Sequence, residues 1–450
     1  MKRLMTATTL TTAMALAQAT PLYHPPGPNL TYGAVSNGQT IMSDITNPAA
    51  GAAALTKNGN QYRFGILGSV GAGFEFGKVD DLYERIDTET EAFQSTQSVT
   101  GGTPTEAAAN LANSIDSLNG VLAEVEADGY AKLFASAHLP IMPLVVAHQA
   151  LGGSLVFDVN GSVAARVSAL HDTVVFNETA AAAGTDDLTD DVVVTFVGGA
   201  PTGYTIDNDS SLVIRGASTT ELALGYSRPV MELGGGTLYG GLRGRYYTVG
   251  MARAVTRLGD LVNDAEQAFD DALDEDFVTD TGLGLDLGVL YVKEHFRLGA
   301  TLTNLNEPEF EFGQLSNLGD FTDPEVRAAL ISSNSYTMER QLQLEAALYT
   351  ASQNWVLSAA MDANAVADAL GDDYQWATIS AAYATDTWFL PGIRAGLRQN
   401  LAGTKVKYLT GGLTLGPVNL DVAYSPDTVT IDGESVPRGA IVNLGLELSF

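Results

Sequence analysis

The feature that most constrains this chain is a period-two alternation running from residue 62 to the C-terminus. Leu283, Leu285, Leu287, Val289 and Tyr291 alternate with Gly284, Asp286, Gly288 and Leu290. The same rhythm holds for Leu342, Leu344, Ala346 and Leu348, for Trp355, Leu357, Ala359 and Met361, and for Val418, Leu420, Val422 and Tyr424. One face of each run is oily and the other is small or polar, which is the signature of a strand with two different environments. Fourteen such strands are expected near 62–76, 139–158, 162–176, 211–231, 237–256, 281–292, 295–305, 337–350, 354–363, 374–385, 391–400, 405–416, 418–425 and 438–450. Connections alternate between short and long, with 401–404 as the exception and Val159-Asn160-Gly161 read as one hairpin turn. The long gaps are 77–138, 177–210, 257–280, 306–336, 364–373 and 426–437. Short turns at one end and long loops at the other predict an all-β fold, a transmembrane antiparallel β-barrel of about 14 strands.

Charge supports that reading. Of 53 Asp and Glu, 39 fall in the long gaps, so carboxylates gather at one rim and leave the oily faces nearly uncharged. A soluble β-sandwich would need a solubilising second face, and here that face is mostly Gly, Ala, Ser, Asn and Gln. The net charge of −30 repels phosphate and excludes nucleic acid as a direct partner. Zero Cys removes disulfides, thiolate metal sites and thiol redox chemistry.

Residues 1–19 read as a signal peptide, with Lys2 and Arg3 ahead of a weakly apolar stretch and Ala17-Gln18-Ala19 as the cleavage site. The final strand carries Val442, Leu444, Leu446, Leu448 and Phe450 on one face. Asn443, Gly445, Leu448 and Phe450 resemble the terminal insertion signal of bacterial outer-membrane barrels. That resemblance implies the bacterial outer membrane as location, with its lipid and the barrel assembly machinery as partners. A free edge strand must pair with something before closure, and its apolar face must already suit lipid.

Residues 20–61 lack periodicity and contain Asn47, Pro48 and Ala49 ahead of the barrel. An Asn-Pro-Ala segment in this place resembles the FadL-type barrels, whose N-terminal hatch plugs the lumen and which pass hydrophobic molecules out through a lateral opening. Ser43 to Ala50, Gly225 to Val230, Gly282 to Gly288 and Arg394 to Gly403 are more similar to the conjugal-transfer TraF-like outer-membrane barrels. That family implies an envelope component without established chemistry. The expected organisation is therefore a signal peptide at 1–19, a hatch at 20–61 and a barrel at 62–450 with long acidic extracellular loops.

By strand phase, Arg243, Arg245, Arg297, Arg394 and Arg398 face the lumen with Glu221, Asp286, Glu345, Asp362, Asp421 and Glu447. Buried opposite charges at matching depth should pair into a network bracing the plugged barrel. Thr103-Pro104-Thr105-Glu106 is a capping box ahead of Leu111, Ile115, Leu118, Leu122 and Val125 at helical spacing. A second amphipathic stretch begins at Leu258, and Asp270, Asp271, Asp274, Glu275 and Asp276 form an acidic cluster without the order of a calcium loop. The five His show no metal spacing and no Ser-His-Asp signature, so no catalysis and no cofactor is expected. Two alternatives stand beside the envelope component. One is a FadL-like passive channel for a hydrophobic small molecule; the other is an extracellular docking or adhesion module.

Overall fold

The computed structural model describes residues 27–54, 61–81, 85, 88, 103–183, 191–197, 200–257, 277–384 and 391–449. The signal peptide at 1–19, the stretch from Leu258, the acidic cluster at 270–276 and Phe450 lie outside the described residues.

Fourteen antiparallel strands close into a ring. In chain order they are β1 Gln61–Phe76, β2 (Tyr130–His138 continued by Leu144–His148), β3 Gly153–Leu170, β4 Ser211–Leu233, β5 Gly236–Arg257, β6 Val278–Lys293 and β7 Phe296–Thr303. They continue as β8 Gln341–Tyr349, β9 Trp355–Asp362, β10 Trp376–Tyr383, β11 Gly392–Asn400, β12 Lys407–Leu415, β13 Val418–Tyr424 and β14 Gly439–Ser449. Neighbours in sequence are neighbours in space, and β14 returns to β1 with Phe64 opposite Leu448 and Gly71 opposite Asn443. Closure leaves no open sheet edge, the condition for a sheet to sit in hydrocarbon.

The alternation resolves into two faces. Leu283 is 67% exposed while Asp286, three residues further along the strand, is fully buried, and Leu357, Ile379, Leu397 and Leu409 stand outward in the same way. At the short-turn end, Trp355 pairs with Tyr383 at 5.0 Å and Tyr291 with Phe296 at 5.8 Å between ring centroids. Aromatics at that level suit a membrane–water boundary. No helix among the described residues is long and apolar enough to cross a membrane.

One expected turn is corrected. β3 runs unbroken through Val159-Asn160-Gly161, where Asn160 faces His138 on β2 and Glu221 on β4. The chain turns instead at Gln149–Leu151, where Gly152 takes φ +59° and the His148 ring nitrogen accepts from Ala150 N at 3.0 Å. An Asn-Gly pair offers a turn, but full ladder pairing on both sides satisfies its backbone better. The expected strand at 139–158 is correspondingly split, and Tyr130–His138, read as loop, is wall.

The first long loop carries a helix at Pro104–Asp128, beginning at the capping box where Thr103 Oγ1 accepts from Glu106 N at 3.3 Å. Hydrogen bonds from the Thr103 backbone and hydroxyl hold the Glu106 carboxyl below its usual range. Its apolar stripe of Leu111, Ile115, Leu118 and Leu122 packs on Val174, Ala181, Val192 and Val194 of the neighbouring loop, so it covers this protein's own surface.

Candidate functional site: the lumen and its two closures

Residues 27–54 cross the interior of the barrel. Helix α1, Asn29–Tyr32, sits against strands β9 to β13; helix α2, Ile41–Asp44, sits against β1; and the turn at Ala50–Ala54 sits against β2 to β6. The segment touches nearly the whole circumference. Thr40 caps α2 through Ser43, a capping box that lets so short a helix end in the lumen without orphan donors.

Asn47 is buried, and its Nδ2 donates to Val289 O at 3.0 Å and to Glu345 Oε1 at 2.8 Å while its Oδ1 accepts from Ala49 N. Pro48 and Ala49 lie in a slot made by Gly241 and Gly288, which face each other across β5 and β6. A Cβ on Gly241 would sit 2.1 Å from Pro48 O, and one on Gly288 would sit 2.1 Å from Asn47 Oδ1. The glycines of the inner face are therefore room for the segment that fills it.

Every lumen charge expected from strand phase points inward, and most pair. Asp286 accepts from Arg243 Nε at 2.8 Å and pairs with Arg245 Nε at 2.7 Å, while Arg245 also reaches Glu221 at 3.2 Å. Arg243 continues to Ile45 O at 2.6 Å, joining this network to the N-terminal segment. Arg394 grips Asp421 with two nitrogens, and Thr31 donates to the same carboxylate at 3.0 Å. Arg297 donates to Ser36 O at 2.8 Å, Glu345 accepts from Ser36, and Glu447 accepts from Ile41 N at 2.7 Å. Asp362 accepts from Trp376 N at 2.7 Å, with the Arg398 guanidinium 3.8 Å from the Trp376 ring centroid. Asn443 and Gly445 face inward on β14 and Leu448 is half-buried on the other side. Phase reading missed Arg63, which pairs with Asp44 of α2.

The opposite end has its own closure. The connection between β9 and β10 folds back as a small hairpin, Val366 pairing Tyr374, and reaches strands about half-way round the ring. Lys132 of β2 donates to Asp368 at 2.8 Å, Asp372 at 2.6 Å and Tyr374 Oη at 2.7 Å. Arg166 of β3 lies 3.4 Å from Asp372, and Arg215 of β4 donates to Leu370 O at 3.1 Å. Leu370 is fully buried among Phe310, Phe312, Met338 and Tyr247. Burial pushes the Asp368 carboxyl up, whereas the Lys132 ammonium and Arg166 hold Asp372 down against the same burial. Sequence reasoning placed Lys132, Asp368 and Asp372 in the long gaps 77–138 and 364–373, with the carboxylates counted at the rim. The available signal was an Asp pair four apart flanking Ala-Leu-Gly, a tight turn with one apolar residue to bury.

Between the two closures lies a chamber of about 280 Å³. Its floor includes Asn29 and Thr46, its walls His138, Asp158, Asn160, Glu221 and Gln343, and its roof Tyr336 and Asp368. Among the described residues no cluster of His, Asp or Glu is placed to hold a metal ion.

The ladder between β1 and β2 breaks register at 65–69, although Gly65 N still donates to Pro143 O at 3.1 Å there. Residues 65–69 of β1 fall outside both registers with β2, between Phe64 opposite Leu144 and Val70 opposite Ala137. Met142 O and Pro143 fill the break, approaching Gly65 and Gly68 so closely that a Cβ on either would meet Met142 O within 2.4 Å.

Three solved barrels have a similar course of chain. They are the toluene transporter TbuX of Ralstonia pickettii (11% identity, 95% of this chain and 99% of that one, TM-score 0.38) and the toluene transporter TodX of Pseudomonas putida (13%, 96% and 99%, 0.36). The third is the deltaS2 mutant of the TodX monoaromatic hydrocarbon channel (14%, 95% and 98%, 0.40). No curated protein matches the sequence. The family model described as "F plasmid transfer operon, TraF, protein" matches residues 44–362, from the Asn47 segment through strand β9, and the chain belongs to that family.

Proposed function

We infer that the protein is a bacterial outer-membrane barrel, exported by the signal peptide at 1–19, whose hatch at 20–61 seals the lumen, and that it serves as a non-catalytic component of a transfer-associated envelope. One observation carries this reading: residues 27–54 are tied to strands around the ring through Thr31 on Asp421, Ile45 O on Arg243, Asn47 on Glu345 and the buried ion pair of Asp44 with Arg63. Breaking a buried ion pair by removing one partner costs about 3–5 kcal/mol, so the segment is held as structure. The outward leucines support lipid as the medium, the inward Asn443 and Gly445 of β14 support recognition by the assembly machinery, and the carboxylate-rich loops support an extracellular rim.

Detergent-extracted protein should show heat-modifiable gel migration, fractionate with outer membrane and hold planar bilayers closed. Deleting 27–54 in the Lys132→Met background, which releases the second closure as well, should open a steady conductance. Recovery of folded protein from aqueous periplasmic extract, without surfactant, overturns the reading.

The interruption at 65–69 favours a second reading, a passive channel for hydrophobic compounds with a lateral exit. That reading requires the Met142–Pro143 turn to withdraw. Uptake of a radiolabelled long-chain acid that falls when 66 and 141 are cross-linked through introduced cysteines would establish it.

A further inference from the structure

We propose that a groove on the outward wall, across β8 to β12, binds a lipid whose head group is a phosphate monoester. The proposal rests on the outer-membrane reading and adds to it a specific lipid partner. The groove holds about 620 Å³ and opens to the outside of the barrel. Its floor is Ala346, Ala359 and Ala377, with Ala346 opposite Ala359 across β8 and β9. Leu344, Ile379 and Leu409 stand round that floor, each 41% exposed or more. The groove also descends. Lys407, opposite Gln399, is the first residue of β12 at the long-loop rim, whereas Ala346 is the sixth residue of β8, a strand of equal length. The floor therefore runs from the rim toward the middle of the wall, the path of a hydrocarbon chain hanging from a head group at the surface.

Charge at the top of the groove chooses among lipids. Residues 401–406 are the one short connection at the long-loop rim, and in this acidic chain they hold no carboxylate. They deliver Lys405 and Lys407, both exposed, to the head of the groove. Among the described residues neither ammonium is in an ion pair, with Asp373 and Asp427 of the adjoining loops included. Arg85, Arg257 and Arg340 at the same rim are matched, by Glu124, Asp207 and Glu307. A phosphate monoester carries about −1.5 to −2 at neutral pH, the charge that two lysines balance. Lysine meets phosphate as a point charge, and the stem of Lys407 can lie along Leu409 while its ammonium stays at the water boundary. A neutral or zwitterionic lipid would fill the trough and leave the lysine pair unmatched.

The test is native mass spectrometry of the full-length detergent-solubilised protein with dioleoyl phosphatidic acid, phosphatidylglycerol and phosphatidylcholine added in turn. Phosphatidic acid should be retained as one saturable adduct, at least tenfold more tightly than phosphatidylcholine, with phosphatidylglycerol between them. The double variant Lys405→Gln, Lys407→Gln should lose that preference, while Lys293→Gln at the opposite end of the barrel keeps it. Ala359→Leu, which fills the floor with both lysines in place, should weaken phosphatidic acid several-fold. Heat-modifiable migration checks that each variant is folded. Equal retention of phosphatidic acid and either other lipid overturns the proposal. So does an unchanged preference in the double variant, affinity unaltered by Ala359→Leu, or a dimer of the chain that excludes lipid from this face. Membrane fractionation is read separately: protein in the outer membrane without the phosphate preference sinks the lipid site alone, and folded protein in aqueous extract sinks the reading beneath it.

Discussion

The two closures of the lumen are built on opposite plans. The N-terminal segment is held by many modest contacts spread round the ring, from the glycine slot at Gly241 and Gly288 to Arg394–Asp421 on the far wall. The hairpin at the mouth is keyed to one lysine, with Lys132 between Asp368, Asp372 and Tyr374. Distributed fit makes a closure that no single side chain controls. A concentrated charge cluster makes one that a single side chain can release, because losing it leaves buried Asp368 without its ion-pair partner and Asp372 with Arg166 alone.

The largest effect should follow Lys132→Met, which leaves Asp368 and Asp372 without their ammonium at a cost of about 3–5 kcal/mol. Because the chain has no Cys, single introduced cysteines report cleanly. Ala369→Cys should change from protected to maleimide-reactive in the Lys132→Met background, while Ala49→Cys stays protected; joint exposure of both would erase the contrast. Next comes Gly288→Leu, whose side chain occupies the space of Asn47 and Pro48. Overpacking of this kind costs about 1–3 kcal/mol. It should expose Ala49→Cys and leave Ala369→Cys protected, the mirror image of the first result.

A smaller effect is expected of Thr103→Ala, which removes the cap of the helix at Pro104–Asp128 at about 0.5–2 kcal/mol. Faster amide exchange confined to 104–128 would show that the loop layer is separable from both closures. The smallest concerns pH. Burial opposes ionisation of Asp209, but the Asp323 and Thr322 amides and Arg257 outweigh it and hold the carboxyl below its ordinary range. A depressed carboxylate contributes stability that is present above the unfolded value near ~3.9 and lost as pH falls through the folded value. Amide protection factors across 318–334, corrected for intrinsic exchange at each pH, should therefore fall below about pH 4, with no change between pH 6 and 8.

Much of the wall was legible because alternation is a local property. Leu285 and Asp286 must face opposite ways in any strand, and an oily face backed by a second face of mostly Gly, Ala, Ser, Asn and Gln suits lipid rather than a sandwich core. The turn at Asn160-Gly161 misled because its local chemistry favours a hairpin, while the ladder partners that keep it extended, His138 and Glu221, lie far along the chain. Lys132 misled for a similar reason, since a lone lysine near an acidic loop carries no mark of burial. Asn47 was noticed as a motif, but its contact with Glu345 spans 298 residues and has no trace in either neighbourhood.

The sequence by itself therefore determined which side chains face lipid and which face the lumen, through a backbone period of two that needs no partner to be specified. Tertiary structure alone decided which lumen charges meet, which glycines become a slot and which loop returns to seal the mouth. Those outcomes depend on strand register and ring closure, and a shift of one residue in either would give every inward charge a different neighbour.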